Sequence, residues 1–420
     1  MTTPRSFPAP HDAPEAFLKV LAHHAIAAAQ PDFGSVDLPA LPEGRVIVVG
    51  AGKAAASMAA SFEMHWNEPV EGLVITRYGH TAPTKYIEVV EAAHPIPDEA
   101  GAAESARLLD LVRSAGPQDL VIVLVSGGAS SLLCLPCEGI DLAQKQDICH
   151  QLLRSGADIT EINTVRCNLS ALKGGRLAAA TNASVVTYII SDVAGDDLRV
   201  IGSGPTLPAV ATPHHSLDVL SRYNIDVSAD IRAAILANES PTITVAKTVL
   251  MGSGRTVLNA ASDIAKANGL SVLDLGDAVI GEAREVGRAV SGIAVAIAAG
   301  THPIRPPAII LSGGETSVTV RGDGRGGRNA EYLLGLASSL RGAANIWSVA
   351  VDTDGIDGME DNAGAIVDPE IVSRASLAEM EGALLRNDAY GFFEKVGGLL
   401  FTGPTLTNAN DFRATLVLTD

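Results

Sequence analysis

The sequence predicts an α/β protein, with a doubly wound parallel sheet in an N-terminal domain and a smaller α/β domain after it. Three observations carry this. Short apolar runs alternate with amphipathic segments of helical length, the signature of βαβ units. Three of those runs stop at glycine turns: Val46 to Val49 runs into Gly50-Ala51-Gly52-Lys53, Val121 to Val125 into Ser126-Gly127-Gly128, and Ala308 to Leu311 into Ser312-Gly313-Gly314, the last two reading as buried parallel strands. The chain, at 420 residues, also exceeds one ordinary hydrophobic core.

Taken in order, residues 13–30 form an Ala-rich amphipathic helix after a Pro-rich start. Strand Val46–Val49 leads into helix Ala54–Met64. Leu73–Thr76 and Tyr86–Ala92 are strands, and Asp98–Ala115 is a helix with its leucines on one face. Strand Leu120–Val125 is followed by helices at Ala129–Leu133, Leu142–Ser155, Ile162–Leu172 and after Gly175. Val185–Ile190 is a strand that ends in Ser191-Asp192. This repetition of strand and helix gives a Rossmann-like parallel sheet with helices on both faces.

The middle is less regular. Pro205 to Pro213 is a loop, and Leu217–Leu220 and Asp230–Ala237 are helical. Strand Thr248–Met251 enters Gly252-Ser253-Gly254-Arg255, and Leu270–Leu275 is another strand. Glu282–Ala299 is a long helix, and His302 to Pro307 a stiff connector. Then come the Ile309 strand, a strand at Ser317–Arg321, a glycine loop, a helix from Asn329 and the strand Trp347–Val351. The boundary is placed near residue 245, giving a Rossmann-like domain over 1–245 and a C-terminal α/β domain over 246–420.

Hydrophobic residues at 47% against 19% charged give ample material for packing. Aromatic content of 4% argues against a base-stacking nucleic-acid binder, and a net charge of -18 repels nucleic acid and anionic membranes. A phosphate site must therefore be local, and basic residues in glycine turns (Lys53, Lys173, Arg176, Arg325, Arg328) have that arrangement. No apolar stretch reaches membrane-spanning length, and the N-terminus lacks the apolar core of a secretion signal. Four cysteines in a chain this long make no disulfide framework, so the expected location is cytoplasmic. Cys134-Leu-Pro-Cys137 has no second ligand pair at zinc spacing and does not open a thioredoxin-like helix, which favours two small packed thiols.

Glycine lets a backbone approach an anion, and the start of a following helix favours negative charge. Repeated strand-end turns of this kind point to a nucleotide. Gly50-Ala51-Gly52-Lys53-Ala54-Ala55 has the spacing of a dinucleotide fingerprint, yet the second strand ends in Arg77 where an acid would hold the ribose of NAD, an Arg that suits NADP, and Lys53 adds a charge where dinucleotide folds mostly use backbone alone. It is not a Walker P-loop, which needs Gly at Ile47 and Ser or Thr at Ala54. Gly322-Asp323-Gly324-Arg325-Gly326-Gly327-Arg328-Asn329 sets two arginine forks among glycines, a strong anion-binding pattern. Lys173-Gly174-Gly175-Arg176 is a shorter version. Asp192, at the carboxyl end of a strand, is placed to take a hydroxyl proton or hold a metal. Asp352-Thr353-Asp354-Gly355-Ile356-Asp357 fails as a calcium loop at Ile356 and reads as a Mg²⁺ or polyol contact or a capped turn. No G-x-S-x-G elbow accompanies Ser126 or Ser312, which disfavours a hydrolase.

With these motifs in order, the chain resembles the glycerate 2-kinase family, the glycerate kinase/hydroxypyruvate reductase group with a C-terminal MOFRL domain. The matching segments are VIVVGAGKAA, HPIPDEAG, VSGGASSLL, LKGGRLA, SDVAGDD with GSGPT, LSGGETSV, GRGGRN, VDTDGIDG and TGPTLTNANDF. The resemblance implies two α/β domains with the active site in the cleft between them, and ATP- and Mg²⁺-dependent phosphorylation of D-glycerate to 2-phosphoglycerate. It implies Lys53, Asp192 and Arg328 as catalytic positions. Nucleotide phosphates are expected at Ser312, Gly313, Gly314, Glu315, Arg325, Gly326, Gly327 and Asn329. Substrate is expected at Gly50, Gly52, Ser126, Gly127, Gly128, Lys173 and Arg176, and metal at Asp192 and Asp352. Ser126-Gly127-Gly128 suits either a phosphate or the glycerate carboxylate. Of the departures from the family pattern, Ala330 and Ala194 are expected to change loop stiffness only, whereas Cys167-Asn168 in place of a basic pair removes positive charge and leaves a longer sugar acid open as acceptor. An NAD(P)H-dependent hydroxypyruvate reductase is the alternative activity.

Overall fold

The apolar runs condense into two six-stranded sheets. The computed structural model describes residues 7–209, 212–243, 247–341 and 343–419. Residues 210–211 of the expected loop and the expected boundary at residue 245 lie outside these. The chain divides into one compact unit over Pro31–Met251 and another made of the residues up to Gln30 with Gly252–Asp420.

In the Pro31–Met251 unit the strands are β1 (Val46–Ala51), β2 (Glu71–Arg77), β3 (Ile87–Ala92), β4 (Leu120–Val125), β5 (Ser184–Ile190) and β6 (Lys247–Gly252), in the order β3-β2-β1-β4-β5-β6. β1 to β5 run parallel. Every residue of β1 and β4 is buried, as expected of central strands covered on both faces. Alternation splits their side chains between two cores. Ile47, Val49, Val121 and Val123 pack with Leu108 and Val112 of helix Glu99–Arg113. Val48, Ile122 and Leu124 pack with Met58 and Phe62 of helix Ala55–His65.

The second sheet contains β7 (Ser271–Asp274), β9 (Ala308–Gly314), β11 (Ile346–Asp352), β12 (Gly364–Val367), β13 (Leu399–Leu400) and β14 (Asp411–Val417). A separate two-stranded ribbon pairs β8 (Gly281–Glu282) with β10 (Thr316–Ser317). The sheet order is β13-β12-β11-β14-β9-β7. β9 was expected to be a buried parallel strand. It is parallel to β7 but antiparallel to β14, which returns from the far end of the chain to fill the centre of the sheet. The expected strand Ser317–Arg321 stops at Ser317. Beyond it, side chains take the backbone donors: Glu282 accepts from Thr319 N–H, and Asn387 Oδ1 from Arg321 and Gly322 N–H.

The expected assignment of residues 1–30 to the N-terminal domain is corrected. Helix Pro14–Ala27 buries Phe17, Leu18, Leu21 and Ala25 in the core that holds Val257, Leu258 and Ala261 of helix Gly254–Ala267 and Phe412 and Leu416 of β14. The physical reason is apolar partnership: sequence adjacency to β1 has no weight against a sheet face that helix must cover. Among the described residues no helix is long and apolar enough to cross a membrane.

Leu18 is fully buried, so Leu18→Ala should cost about 2–5 kcal/mol. Hydrogen exchange should speed up in Gly254–Ala267 and Asp411–Val417 and stay unchanged in β1 and β4. Faster exchange in β1 and β4 would contradict this grouping.

Candidate active site

Strand order reverses direction between β1 and β4, since β2 and β3 lie to one side of β1 and β4 and β5 to the other. In doubly wound sheets, ligands bind outside the carboxyl ends of the strands at such a point. There the chain sets Lys53 after β1, Ser126-Gly127-Gly128 after β4 and Ser191-Asp192 after β5. The first two turns are latched together. Lys53 N–H donates to Gly127 O at 2.8 Å, and Ala54 N–H donates to Ser126 Oγ at 3.0 Å. Gly52 is required by this closeness: a Cβ there would lie 2.1 Å from Ser126 Oγ.

The latch leaves donors over. Among the described residues, neither the Gly127 nor the Gly128 N–H has a hydrogen-bond acceptor, although Gly127 is buried. Buried backbone N–H groups without partners are rare, and adjacent ones make an anion cradle. Gly128 adopts φ 85°, and a Cβ on it would meet the His94 ring at 3.0 Å and Lys53 Cγ at 3.4 Å. Lys53 and Asp192 are half-buried and each has an interaction partner.

Other expected substrate residues are placed differently. Gly50 sits in the β1 ladder opposite Val74 and Leu124, and Gly52 donates its N–H to Ile75 O. Lys173 is fully buried, with Nζ donating to Ser130 O at 2.6 Å and Leu133 O at 2.9 Å. Burial, with Lys145 nearby, pushes its amine down to about 7. Arg176 donates to the carbonyls of Cys167, Lys173 and Asn238. Lys173 and Arg176 therefore brace the loops behind the Gly128 turn. Cys134 and Cys137 are buried free thiols, and burial pushes both up, away from the reactive thiolate.

In the Gly252–Asp420 unit, the Ser312-Gly313-Gly314 turn is not an amide cradle. Gly313 donates its N–H to Gly276 O, and the carbonyls of Gly313 and Gly314 accept from Arg413 at 3.2 and 3.3 Å. Ser312 is buried in the sheet, and Glu315 is largely exposed. Arg325 forks onto Glu360 at 2.6 Å and covers the Tyr390 ring at 4.3 Å. Gly326 and Gly327 belong to a tightly packed loop: a Cβ on Gly327 would lie 2.2 Å from Asp357 Oδ1. Asp357 also accepts from the N–H groups of Asn329 and Ala330, at 2.9 Å each. It thereby fills the anion position at the start of helix Arg328–Leu340, where a phosphate was expected. Burial pushes the Asp357 carboxyl up to about 6.

Arg328 stands apart. Its Nε donates to both oxygens of Asp411 at 2.9 Å, and Nη2 to Asp352 at 2.8 Å. Burial opposes its charge, but Asp411 and Asp352 outweigh that and hold its proton more tightly than usual. Nη1 has no hydrogen-bond acceptor among the described residues, and Glu315 is 3.9 Å away. With 22% of the side chain exposed, Arg328 is held by two carboxylates and presents one donor edge outward.

Asp411 and Arg413 were not anticipated. Asp411 accepts from Arg328, Asn329 and Arg413, and every residue of its strand β14 is buried. The available signal was a charged pair flanking Phe412 inside an apolar run. Asp352 does not fit as a metal ligand here, because Oδ2 accepts from Arg328 and Oδ1 from Asp354 N–H. Among the described residues no group of three or more His, Cys, Asp or Glu is arranged to hold a metal ion.

The buried Lys173 gives a pH signature. Its folded value lies below the ordinary 10.5, so its contribution to stability is full above that value and is lost as pH falls through about 7. The melting-temperature gap between wild type and Lys173→Met should therefore widen in favour of wild type as pH is raised from 7 to 10. A gap independent of pH would show that this lysine stays charged in the fold.

Family comparison agrees with this architecture. Residues 14–236 match the family described as Domain of unknown function (DUF4147), and residues 308–411 match the MOFRL family. A protein of Agrobacterium vitis that carries the provisional name hydroxypyruvate reductase is 46% identical over 403 residues, covering 94% of this chain and 92% of its own. The D-glycerate 2-kinase of Thermotoga maritima is 40% identical over 386 residues, covering 91% and 93%. A crystal structure of glycerate kinase from Thermotoga maritima superposes with a TM-score of 0.88 at 37% identity, covering 97% of this chain and 100% of that one. With both family matches in sequence order and these relatives spanning nearly its whole length, the chain belongs to the glycerate 2-kinase family.

Proposed function

We propose that this protein is a kinase that transfers the terminal phosphoryl group of ATP to a hydroxyl of D-glycerate, giving 2-phosphoglycerate. The observation that carries the reading is the convergence of Lys53, the acceptor-less N–H groups of Gly127 and Gly128, and Asp192 at the strand ends where the parallel sheet reverses. Phosphoryl transfer needs little covalent chemistry from a protein; it needs positioning and charge stabilisation. A cationic side chain, an amide cradle and a carboxylate on three adjacent strand ends supply those parts.

In this reading Asp192 orients the acceptor hydroxyl and takes its proton as the oxygen attacks. Lys53 offsets the charge that develops on the transferred group. Arg328 is the further charge-stabilising cation that the family resemblance implies, and Asp352 and Asp411 keep its guanidinium from swinging away. Asp192 is the carboxylate that would hold Mg²⁺, which would supply neutralisation of the nucleotide phosphates when bound.

The name carried by the Agrobacterium relative favours a second reading, reduction of hydroxypyruvate with NAD(P)H. Against it, Gly52 of the dinucleotide-like turn packs onto Ser126, and Lys53 adds a charge where dinucleotide folds mostly use backbone alone; Arg77 at the end of β2 argues against NAD but suits NADP.

A coupled assay with purified protein, D-glycerate, ATP and Mg²⁺, detecting 2-phosphoglycerate through enolase, tests the reading. Lys53→Ala and Arg328→Ala should each lower kcat by roughly 10²–10³-fold, the cost of removing one charge-stabilising donor. Asp192→Asn should lower it by about 10²–10⁴-fold. Silence with D-glycerate and other sugar acids, together with NADPH oxidation by hydroxypyruvate, would replace the kinase with the reductase.

A further inference from the structure

A cavity of about 660 Å³ opens beside the Gly128 turn, within the Pro31–Met251 unit. Its walls are of two kinds. Ile96, Leu142 and Leu153 form an apolar side, and Ile96 and Leu153 are left 71% and 57% exposed at its rim. Gly128, Lys173 and Arg166 form the other side. Arg166 makes no ion pair among the described residues, and Lys145, also on the wall, is held by the carbonyls of Cys134 and Leu135. Asp147 is the one acidic lining residue, exposed and hydrogen-bonded to Gln151. Arg166 is thus a cation without a carboxylate partner among the described residues, on the wall of a hollow in a chain of net charge -18, which favours an anion there.

Size and polarity narrow the anion. The volume lies in the range of about 300–1,000 Å³ that takes drug-sized ligands, far more than a three-carbon acid fills. A triose acid would also leave the apolar side uncovered. At the Gly128 end the cavity abuts the Lys53 stem and the Gly128 N–H, which has no acceptor among the described residues. A ligand with an apolar body and a polyanionic tail would match both walls and lead its tail to Lys53.

We infer that this cavity receives the base and ribose of a nucleoside triphosphate, with the triphosphate running past Arg166 to the Gly128 amide. The inference rests on the kinase reading and moves the nucleotide from the Ser312-Gly313-Gly314 turn, whose carbonyls already surround Arg413, to the parallel-sheet unit.

Two variants test it. Ala143 is exposed on helix Leu142–Ser155 and lines the hollow, so Ala143→Trp fills it from a site that tolerates bulk. Arg166→Gln removes the unpaired charge and leaves the fold's hydrogen bonds intact. Calorimetric titration with a non-hydrolysable ATP analogue is read alongside steady-state kinetics. Ala143→Trp should raise the analogue Kd and the KM for ATP about tenfold or more and keep the KM for D-glycerate within about twofold. Arg166→Gln should weaken the analogue more than adenosine. Unchanged nucleotide constants in both folded variants, or a rise in the KM for D-glycerate alone, would overturn the inference and leave the kinase standing. Analogue binding that Ala143→Trp weakens, in a protein that transfers no phosphoryl group, would uphold the cavity and sink the kinase reading.

Discussion

The latch between the β1 and β4 turns is the constraint on which the rest of the candidate site depends. One hydrogen bond, from Lys53 N–H to Gly127 O, and one from Ala54 N–H to Ser126 Oγ join two strand ends that are far apart in sequence. The Gly127 carbonyl is taken up by Lys53, while the N–H groups of Gly127 and Gly128 have no acceptor among the described residues. The same turn brings the Lys53 stem against Gly128. Charge, donors and backbone direction are thus set by one contact between neighbouring parallel strands, and Asp192 follows on the next strand outward.

Buried charge is handled in two ways. In the Gly252–Asp420 unit, Arg328 and Arg413 lie against Asp352 and Asp411, so each cation has a carboxylate and the cluster is close to neutral. Such a network gives little net stability relative to apolar packing, but removing one member leaves an uncompensated charge. It is suited to holding an arginine in one orientation. In the Pro31–Met251 unit, Lys145 and Lys173 are buried against carbonyl oxygens. Dipoles offset an ammonium only in part, which is why burial lowers both amines.

Glycine-rich turns can mean two different things, and here both occur. At Gly127-Gly128 they free backbone donors. At Gly322–Gly327 they allow a loop to lie against the backbone of Arg386 and the carboxylate of Asp357. The second turn's arginines are engaged by Glu360, Asp352 and Asp411. Composition is the same in the two cases; what differs is whether another part of the chain already occupies the space an anion would take.

The sequence by itself determined the parallel sheet, because β1, β4 and β5 are continuous apolar runs separated by helices, and that pattern has few topological solutions. It also marked Lys53, Asp192 and Arg328, since charged residues at strand ends and glycine turns are conspicuous against an apolar background. Tertiary structure alone decided which glycine turns keep free donors, because that depends on partners such as Gly276, Asp357 and Arg413, each tens of residues away or more. It alone placed helix Pro14–Ala27 on the second sheet and β14 at that sheet's centre, and it alone revealed Lys145, Arg166 and Lys173 around one cavity. Local pattern specifies elements; the long-range pairing that satisfies their leftover groups is written nowhere in one stretch of chain.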